Sequence, residues 1–388
     1  MQDIAQIMLL CETRGGGTLR HVVDLYAGLK EHGWNVTVVI TPPEMYPEFG
    51  SELQSISESD RMLVPMRRSP HPSDLNNIRQ IRKRIVESSL PTILHAHSTK
   101  AGLLGVALRP WCYKTLYTPH AFRSIDPTLG RVKAKAIRLA EKHFAGCYDR
   151  VIAVAPAELD YALAMGLKQE RLRYIPNGIR SNTFISSENG KSSINQGGPC
   201  LGFVGRLDDQ KNPLLFIDVL RGVASRIAGA RAIVVGDGRL MESMVQYAET
   251  CGVGSRIEWR GSVPAGSTFR EIDVLVHTSQ YEAMPYTLLE AAASQVPIVA
   301  TRNHGSVAIL EEFLPGAISK SFAPEDLVEI VASILQDTQL AARHRERLKA
   351  IAERYSLEKM VSAIGSEYSA LLEEGVRPIH FVQQHDAP

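Results

Sequence analysis

Asp273 to Thr301 reads DVLVHTSQYEAMPYTLLEAAASQVPIVAT, and this stretch decides the fold. Asp273 to His277 is a short apolar run of strand length. Pro285 to Ser294 is rich in Leu and Ala, with Pro where a first helical turn tolerates it, and predicts a helix. Val296 to Thr301 is β-branched again, with Pro297 at its entry. Strand, helix and strand in that order make a βαβ unit, so the strands are expected to be parallel and the helix to cover one sheet face. Glu282 falls in the loop before the helix, and Glu290 roughly a turn and a half inside it. The helix start suits anionic oxygens, because its amides are unpaired and its dipole end is positive. An anion there, flanked by carboxylates that accept from hydroxyls, describes a sugar-phosphate ligand.

Working outward, the same alternation fills the chain. Ile4 to Cys11, Val36 to Ile40, Met62 to Pro65, Thr92 to His95, Thr115 to Thr118, Val151 to Ala155 and Leu172 to Ile175 are strand candidates. Helices are expected between them, including Asp74 to Ser88, Thr99 to Leu108 and the basic Arg131 to Tyr148. Such a series predicts a doubly wound α/β domain. Leu201 to Val204, Ala232 to Val235 and Arg256 to Trp259 restart the pattern, and Pro324 to Gln336, Leu340 to Tyr355 and Leu357 to Glu373 read as closing helices. A chain of 388 residues exceeds one hydrophobic core, so two domains are expected. The polar stretch Ser186 to Pro199 is the predicted joint.

Composition excludes several classes. The 44% apolar and 22% charged residues are those of an ordinary globular protein. Residues 1–180 carry 24 Lys and Arg against 17 Asp and Glu, and the remainder 19 against 25, so the halves are expected to meet different partners. Nothing in this pattern asks for nucleic acid. The cysteines, Cys11, Cys112, Cys147, Cys200 and Cys251, are odd in number and show no CxxC pairing, which argues against a disulfide framework or zinc site. No run approaches the ~18 apolar residues of a membrane span, and the first residues lack a signal-peptide pattern. A cytoplasmic protein is expected, with a peripheral place on the inner face of the cell membrane as the variant of that reading.

Gly15, Gly16 and Gly17 stand between the first strand and a helix, where glycines permit close backbone approach. They are not the G-x-G-x-x-G fingerprint and no GK[ST] follows, so dinucleotide and P-loop readings are weak. His95 and His97 share a strand face, but no third ligand stands near them in the sequence, so no metal site is expected. His97 and His120 fall at carboxyl ends of strands, where such folds bind ligands.

Glu282 and Glu290, with seven residues between, match the E-x7-E signature of retaining GT-B glycosyltransferases of family four, the glycosyl transferases group 1. The chain resembles that family in further segments taken in order. These are the glycine triplet, Tyr117-Thr118-Pro119-His120, Tyr174-Ile175-Pro176-Asn177-Gly178-Ile179, Gly205-Arg206-Leu207 with Lys211, and Gly236-Asp237-Gly238. The resemblance implies two doubly wound Rossmann-like domains facing across a cleft. It implies an N-terminal acceptor-side domain over 1–185, a linker over 186–199, and a donor-binding domain over 200–355. The C-terminal helix, with the tail over 356–388, would cross back to the first domain. It implies that His120 contacts the donor sugar and that Gly16 and Gly17 lie across the cleft from the donor phosphates and near the acceptor. Glu282 would accept from the donor sugar and Glu290 from ribose. Arg206, by its planar fork, and Lys211, as a point charge, would clamp the diphosphate. Gly236 and the helix start at Pro285, Tyr286 and Thr287 would complete the donor site.

The expected activity is therefore a retaining, metal-independent hexosyltransferase that moves a sugar from a nucleotide diphosphate sugar to a glycan or lipid-linked acceptor. Cell-surface or exopolysaccharide synthesis is the expected setting. No cofactor is expected, since the nucleotide sugar is a substrate, and an anionic membrane surface is a further expected partner. The alternatives are a nucleotide-sugar epimerase or phosphorylase on the same architecture, and a catalytically silent subunit that binds a nucleotide sugar or glycan. One departure is noted: the family places Gly after the first Glu, where Ala283 stands here. If that position needs φ > 0, Ala costs roughly 1–2 kcal/mol.

Overall fold

The structure is a computed structural model. It describes residues 4–13, 15–42, 45, 53–67, 69–126, 129–180, 198–263 and 265–375. These form two compact units: one takes the described residues through Pro176 and those from Met360 onward, the other Asn177–Lys359. Of the expected joint over 186–199, only Gly198 and Pro199 are among the described residues.

The first unit holds a seven-stranded parallel sheet of β1 (Gln6–Cys11), β2 (Asn35–Ile40), β3 (Arg61–Leu63), β4 (Thr92–His97), β5 (Lys114–Thr118), β6 (Arg150–Ala153) and β7 (Leu172–Tyr174). Their order is β3-β2-β1-β4-β5-β6-β7. Every residue of β1 and β4 is buried, as central strands covered by helices on both faces must be, and in β4 that burial takes in Thr92, His95 and His97. One face carries a core of Met8, Leu10, Leu94, Tyr117, Phe144 and Tyr148 with their neighbours. The helix Leu357–Glu373 contributes Tyr368, whose ring meets Trp34 edge-on at 5.8 Å.

The second unit holds five parallel strands, β8 (Cys200–Val204), β9 (Arg231–Val235), β10 (Ile257–Gly261), β11 (Val274–His277) and β12 (Ile298–Ala300). Their order is β10-β9-β8-β11-β12. The opening stretch is thus β11, the helix Tyr286–Ala293 and β12, with β11 and β12 parallel as a βαβ crossover requires. Phe203, Phe216, Leu220, Val234 and Val276 lie in its core.

Strand order locates the ligand sites. In each sheet the chain winds outward one way and then returns to wind the other way. The winding reverses between β1 and β4 in the first unit and between β8 and β11 in the second. Loops leaving the carboxyl ends of those pairs splay apart, and ligands of doubly wound folds bind in that crevice.

Ala283 does not adopt a left-handed conformation; the described non-glycine residues that do are Ser98, His120, Ala121, Asn212 and Gln295. The anticipated strain at Ala283 is therefore absent, and the loop needs no glycine there.

Candidate active site

At the second switch point, the loop after β8 begins with Gly205, whose N–H donates to Val235 O at 3.0 Å. Leu207 N donates to Asp237 O at 2.9 Å, and Leu240 N to Leu207 O at 3.0 Å. The two loops touch backbone to backbone, which explains Gly236: a Cβ there would lie 1.8 Å from Gly205 O. The chain then turns through Asp208, whose Oδ1 accepts from Lys211 N at 3.1 Å, and the left-handed Asn212 (φ 48°) into the helix Pro213–Arg226.

The loop after β11 is stitched to this one. Thr278 Oγ1 donates to Lys211 O at 2.8 Å, Gln280 N to Gln210 O at 2.8 Å, and Gln210 Nε2 to Tyr281 O at 3.1 Å. Asn177, itself buried, donates from Nδ2 to Met284 O at 2.9 Å. The helix start at His304 presses on the same loop, since a Cβ on Gly305 would lie 2.7 Å from both Glu282 Cβ and Pro285 Cδ.

Lys211 Nζ meets Glu282 Oε1 at 2.6 Å, with the two side chains only 14% and 11% exposed. Burial raises the pKa of Glu282, but the charges and hydrogen bonds around it, Lys211 foremost, outweigh this and hold it below the ordinary glutamate value. The His277 ring lies 3.9 Å from the same oxygen. Burial, with the Lys211 charge in second place, pushes its pKa down to about 3, so it is neutral and forms no ion pair. Its Nε2 lies 3.1 Å from Ser279 Oγ. Beside this group starts the helix Tyr286–Ala293, with Pro285 at its N-cap and no side chain capping it. Glu290 is half-buried one turn in. Arg206 behaves differently from Lys211. Its side chain is 58% exposed and is held along the loop by Asp208 Oδ2 at 2.8 Å and Gln210 Oε1 at 2.9 Å.

At the first switch point, Gly16 and Gly17 are exposed and open the helix Gly16–Glu31; Gly16 is left-handed at φ 72° with open space where a Cβ would stand. His21 follows one turn later. Glu12, just beyond β1, accepts from Ser98 Oγ, just beyond β4. His95 is satisfied on both nitrogens, by Tyr368 Oη at 2.6 Å and Thr118 Oγ1 at 2.8 Å. His97 Nδ1 lies 3.1 Å from His120 Nε2, and His97 Nε2 is buried without a partner. The His21 ring stands 4.6 Å from that of His120 and 5.3 Å from that of His97. Burial, and then the other imidazoles, lower the pKa of His95, His97 and His120, so these rings are neutral.

His120 (φ 54°) and Ala121 (φ 88°) are consecutive left-handed residues, an arrangement that costs energy and needs support. Two buried carboxylates supply it. Glu158 accepts from Ala121 N at 2.8 Å and Val154 N at 2.7 Å; Glu141 accepts from Arg123 N at 2.6 Å and Ser124 N at 3.2 Å.

The family description "Glycosyl transferases group 1" matches residues 185–355, and "Glycosyl transferase 4-like domain" matches residues 16–178. The chain belongs to the group 1 glycosyltransferases. Among curated relatives, the "UDP-Gal:alpha-D-GlcNAc-diphosphoundecaprenol alpha-1,3-galactosyltransferase" of Escherichia coli is 24% identical over 71% of this chain and 74% of its own. The "Lipopolysaccharide core biosynthesis glycosyltransferase LpsE" of Rhizobium meliloti is 23% identical over 86% of this chain and 90% of its own. Among solved structures, Anabaena Alr3699/HepE in complex with UDP and glucose superimposes with a TM-score of 0.80 at 18% identity, covering 94% of this chain and 99% of the other. These likenesses give this group 1 glycosyltransferase the GT-B fold.

Several site residues of this glycosyltransferase were not legible in its sequence. No third ligand stands near His95 and His97 in the sequence, but the fold carries His21 and His120 to His97. His21 sits in the second turn of the glycine-led helix, and the only signal was a polar residue inside an apolar stripe. Asn177, His277, Glu141 and Glu158 were missed as supports, since a lone polar side chain gives no periodic signal of being turned inward.

Proposed function

We propose that this group 1 glycosyltransferase moves a hexosyl group, with retention of anomeric configuration, from a uridine diphosphate sugar to a glycan or lipid-linked acceptor of surface polysaccharide synthesis. The observation that carries the reading is the Lys211–Glu282 pair beside the helix start at Tyr286, at the switch point of the second sheet. An incoming diphosphate competes for Lys211 and for the helix amides, and as it takes the ammonium it leaves Glu282 ionised and free to accept from a sugar hydroxyl. Glu290 accepts from ribose, Arg206 turns from Asp208 toward the phosphates, and His120 contacts the donor sugar.

The bond from the anomeric carbon to the phosphate oxygen breaks as the acceptor oxygen attaches on the same face. The departing phosphate oxygen takes the acceptor proton. Negative charge grows on that oxygen as the bond breaks, so Lys211 and the helix start bind the transition state better than the ground state. No divalent metal is needed in this reading. The names of the relatives, an undecaprenol-linked acceptor and a lipopolysaccharide core, support the acceptor class, and the UDP complex of the Anabaena protein supports the base.

Thermal shifts against a panel of nucleotide sugars identify the donor, because a ligand of the folded state raises its melting point. UDP release that rises only when acceptor is added, with an α-linked product from an α-linked donor by NMR, is the expected result. A β-linked product overturns retention, and donor binding without acceptor-dependent release overturns transfer.

A further inference from the structure

His21, His97 and His120 arrive from three separate elements, and each offers one ring nitrogen within 4.8 Å of the other two. We propose that they form a binding site for a borderline divalent cation of the zinc, cobalt or nickel class. Three observations point there. Tetrahedral zinc with nitrogen ligands at about 2.0–2.1 Å sets those nitrogens about 3.3 Å apart. His97 Nδ1 and His120 Nε2 already stand 3.1 Å apart, so a modest rotation of the rings opens the bite for an ion. His97 Nε2, the other nitrogen of that ring, is buried with no hydrogen-bond partner, so no bond on its far side holds the ring against that rotation. His95 is the next ring, 4.1 Å from His97, but its two nitrogens are committed to Tyr368 and Thr118. It stays out of the set, and three ligands leave a fourth position open, as in catalytic rather than structural sites.

The donor set selects the ion. Imidazoles without carboxylates disfavour magnesium, calcium and manganese and suit zinc, cobalt, nickel and copper. His120 is the partly exposed member, which gives the ion a way in. Binding of the cation replaces the hydrogen bond and the stacking between His97 and His120. Its effect is inhibition, because a nitrogen of His120 bound to a cation no longer meets a donor sugar. That consequence rests on the role proposed above for His120; the site itself does not.

The test uses untagged, chelator-treated full-length protein titrated with Co2+, followed by its visible d–d absorption. The expected result is intense tetrahedral bands that saturate at one equivalent, are bleached by Zn2+, and show no sulfur-to-cobalt charge transfer. His21→Asn and His97→Asn each weaken binding by at least the ~10–100-fold that loss of an outer-shell partner alone costs. X-ray absorption of the zinc-loaded wild type gives a second readout that needs no variant, with an imidazole-only protein shell expected. Absence of the one-equivalent band, thiolate charge transfer, or bands that persist in the folded His21→Asn/His97→Asn double variant overturns the site. With the site occupied, Zn2+ is expected to block transfer and EDTA to restore it. Binding without inhibition overturns the role of His120 in transfer and leaves the site standing.

Discussion

Lys211 and Glu282 hold each other in a place where neither stands comfortably alone. On the role proposed for Lys211, Lys211→Ala removes a charge-assisted contact worth ~1.5–3 kcal/mol in the transition state, so kcat/KM is expected to fall roughly 10–150-fold. The same change leaves Glu282 buried without its cation, at a stability cost of about 3 kcal/mol. Urea unfolding and initial rates measured on one preparation separate the two, and a variant within twofold of the parent rate would place Lys211 away from the phosphates. The pair also sets an acid limb. The folded pKa of Glu282 lies below its ordinary 4.5, so its stabilisation is complete above pH 4.5 and is lost as pH falls through the depressed value. Glu282→Gln is expected to flatten that part of the melting-temperature profile against pH.

Among elements, the turn after β5 depends on the helix Pro156–Ala164 through Glu158. Burial pushes the Glu158 carboxyl up to about 7, so its contribution to stability is full below pH 4.5 and lost as pH rises through about 7. Glu158→Gln is expected to remove that slope. It is also expected to lower kcat, since its amide offers one acceptor where the carboxylate offers two oxygens to Ala121 N and Val154 N. A parent-like slope in the variant would assign the titration elsewhere. At the β9 loop, Gly236→Ala meets both a left-handed φ of 138° and Gly205 O at 1.8 Å. A loss of about 3 kcal/mol or more by denaturant titration is expected. Elements of this kind were legible to different degrees. Strands buried on both faces, such as β1 and β11, read as apolar runs, and all twelve candidates correspond to strands, the more exposed β3, β7 and β10 included. The helix expected over Arg131 to Tyr148 ends at Ala145, where Gly146 follows. The seven-residue helix His304–Leu310 was missed, because a short helix fixed by the Asn303–Ser306 capping box has too little periodicity to see. The motifs pointed to Lys211, Glu282 and His120, but the partners that orient them come from distant segments and left no local pattern.

For the whole molecule, the first prediction is that full rate persists in excess EDTA, and abolition reversed by Mg2+ or Mn2+ would sink it. The second is that the helix Arg131–Ala145 docks on anionic lipid. Val132 is 87% and Leu139 61% exposed, in company with Arg131, Lys133 and Lys135. No helix among the described residues is long and apolar enough to cross a membrane. At about 1 kcal/mol per basic residue near an anionic surface, such a face supports reversible attachment. Arg138 is spent otherwise, donating to Ala164 O at 2.8 Å beside the Tyr161 ring, so the informative variant replaces Arg131, Lys133 and Lys135 with Ser. Co-sedimentation with anionic liposomes at low salt is expected for the parent and not for the variant. Equal binding by both would remove this helix from the interaction.

The first unit draws its last helix from the far end of the chain, and this has a consequence on the ribosome. Its seven strands have all been synthesised once Tyr174 is made, but the hydroxyl that closes His95 and the methyls of Val361 that cover Gly28 have not. At 5–20 residues per second they follow about 10–40 s later, after the whole second unit has been synthesised. During that interval the nascent sheet waits with a bare apolar flank. Folding of the first unit is therefore completed only after the second has been made, and a chain that stalls before Met360 leaves that flank open to chaperones and proteases.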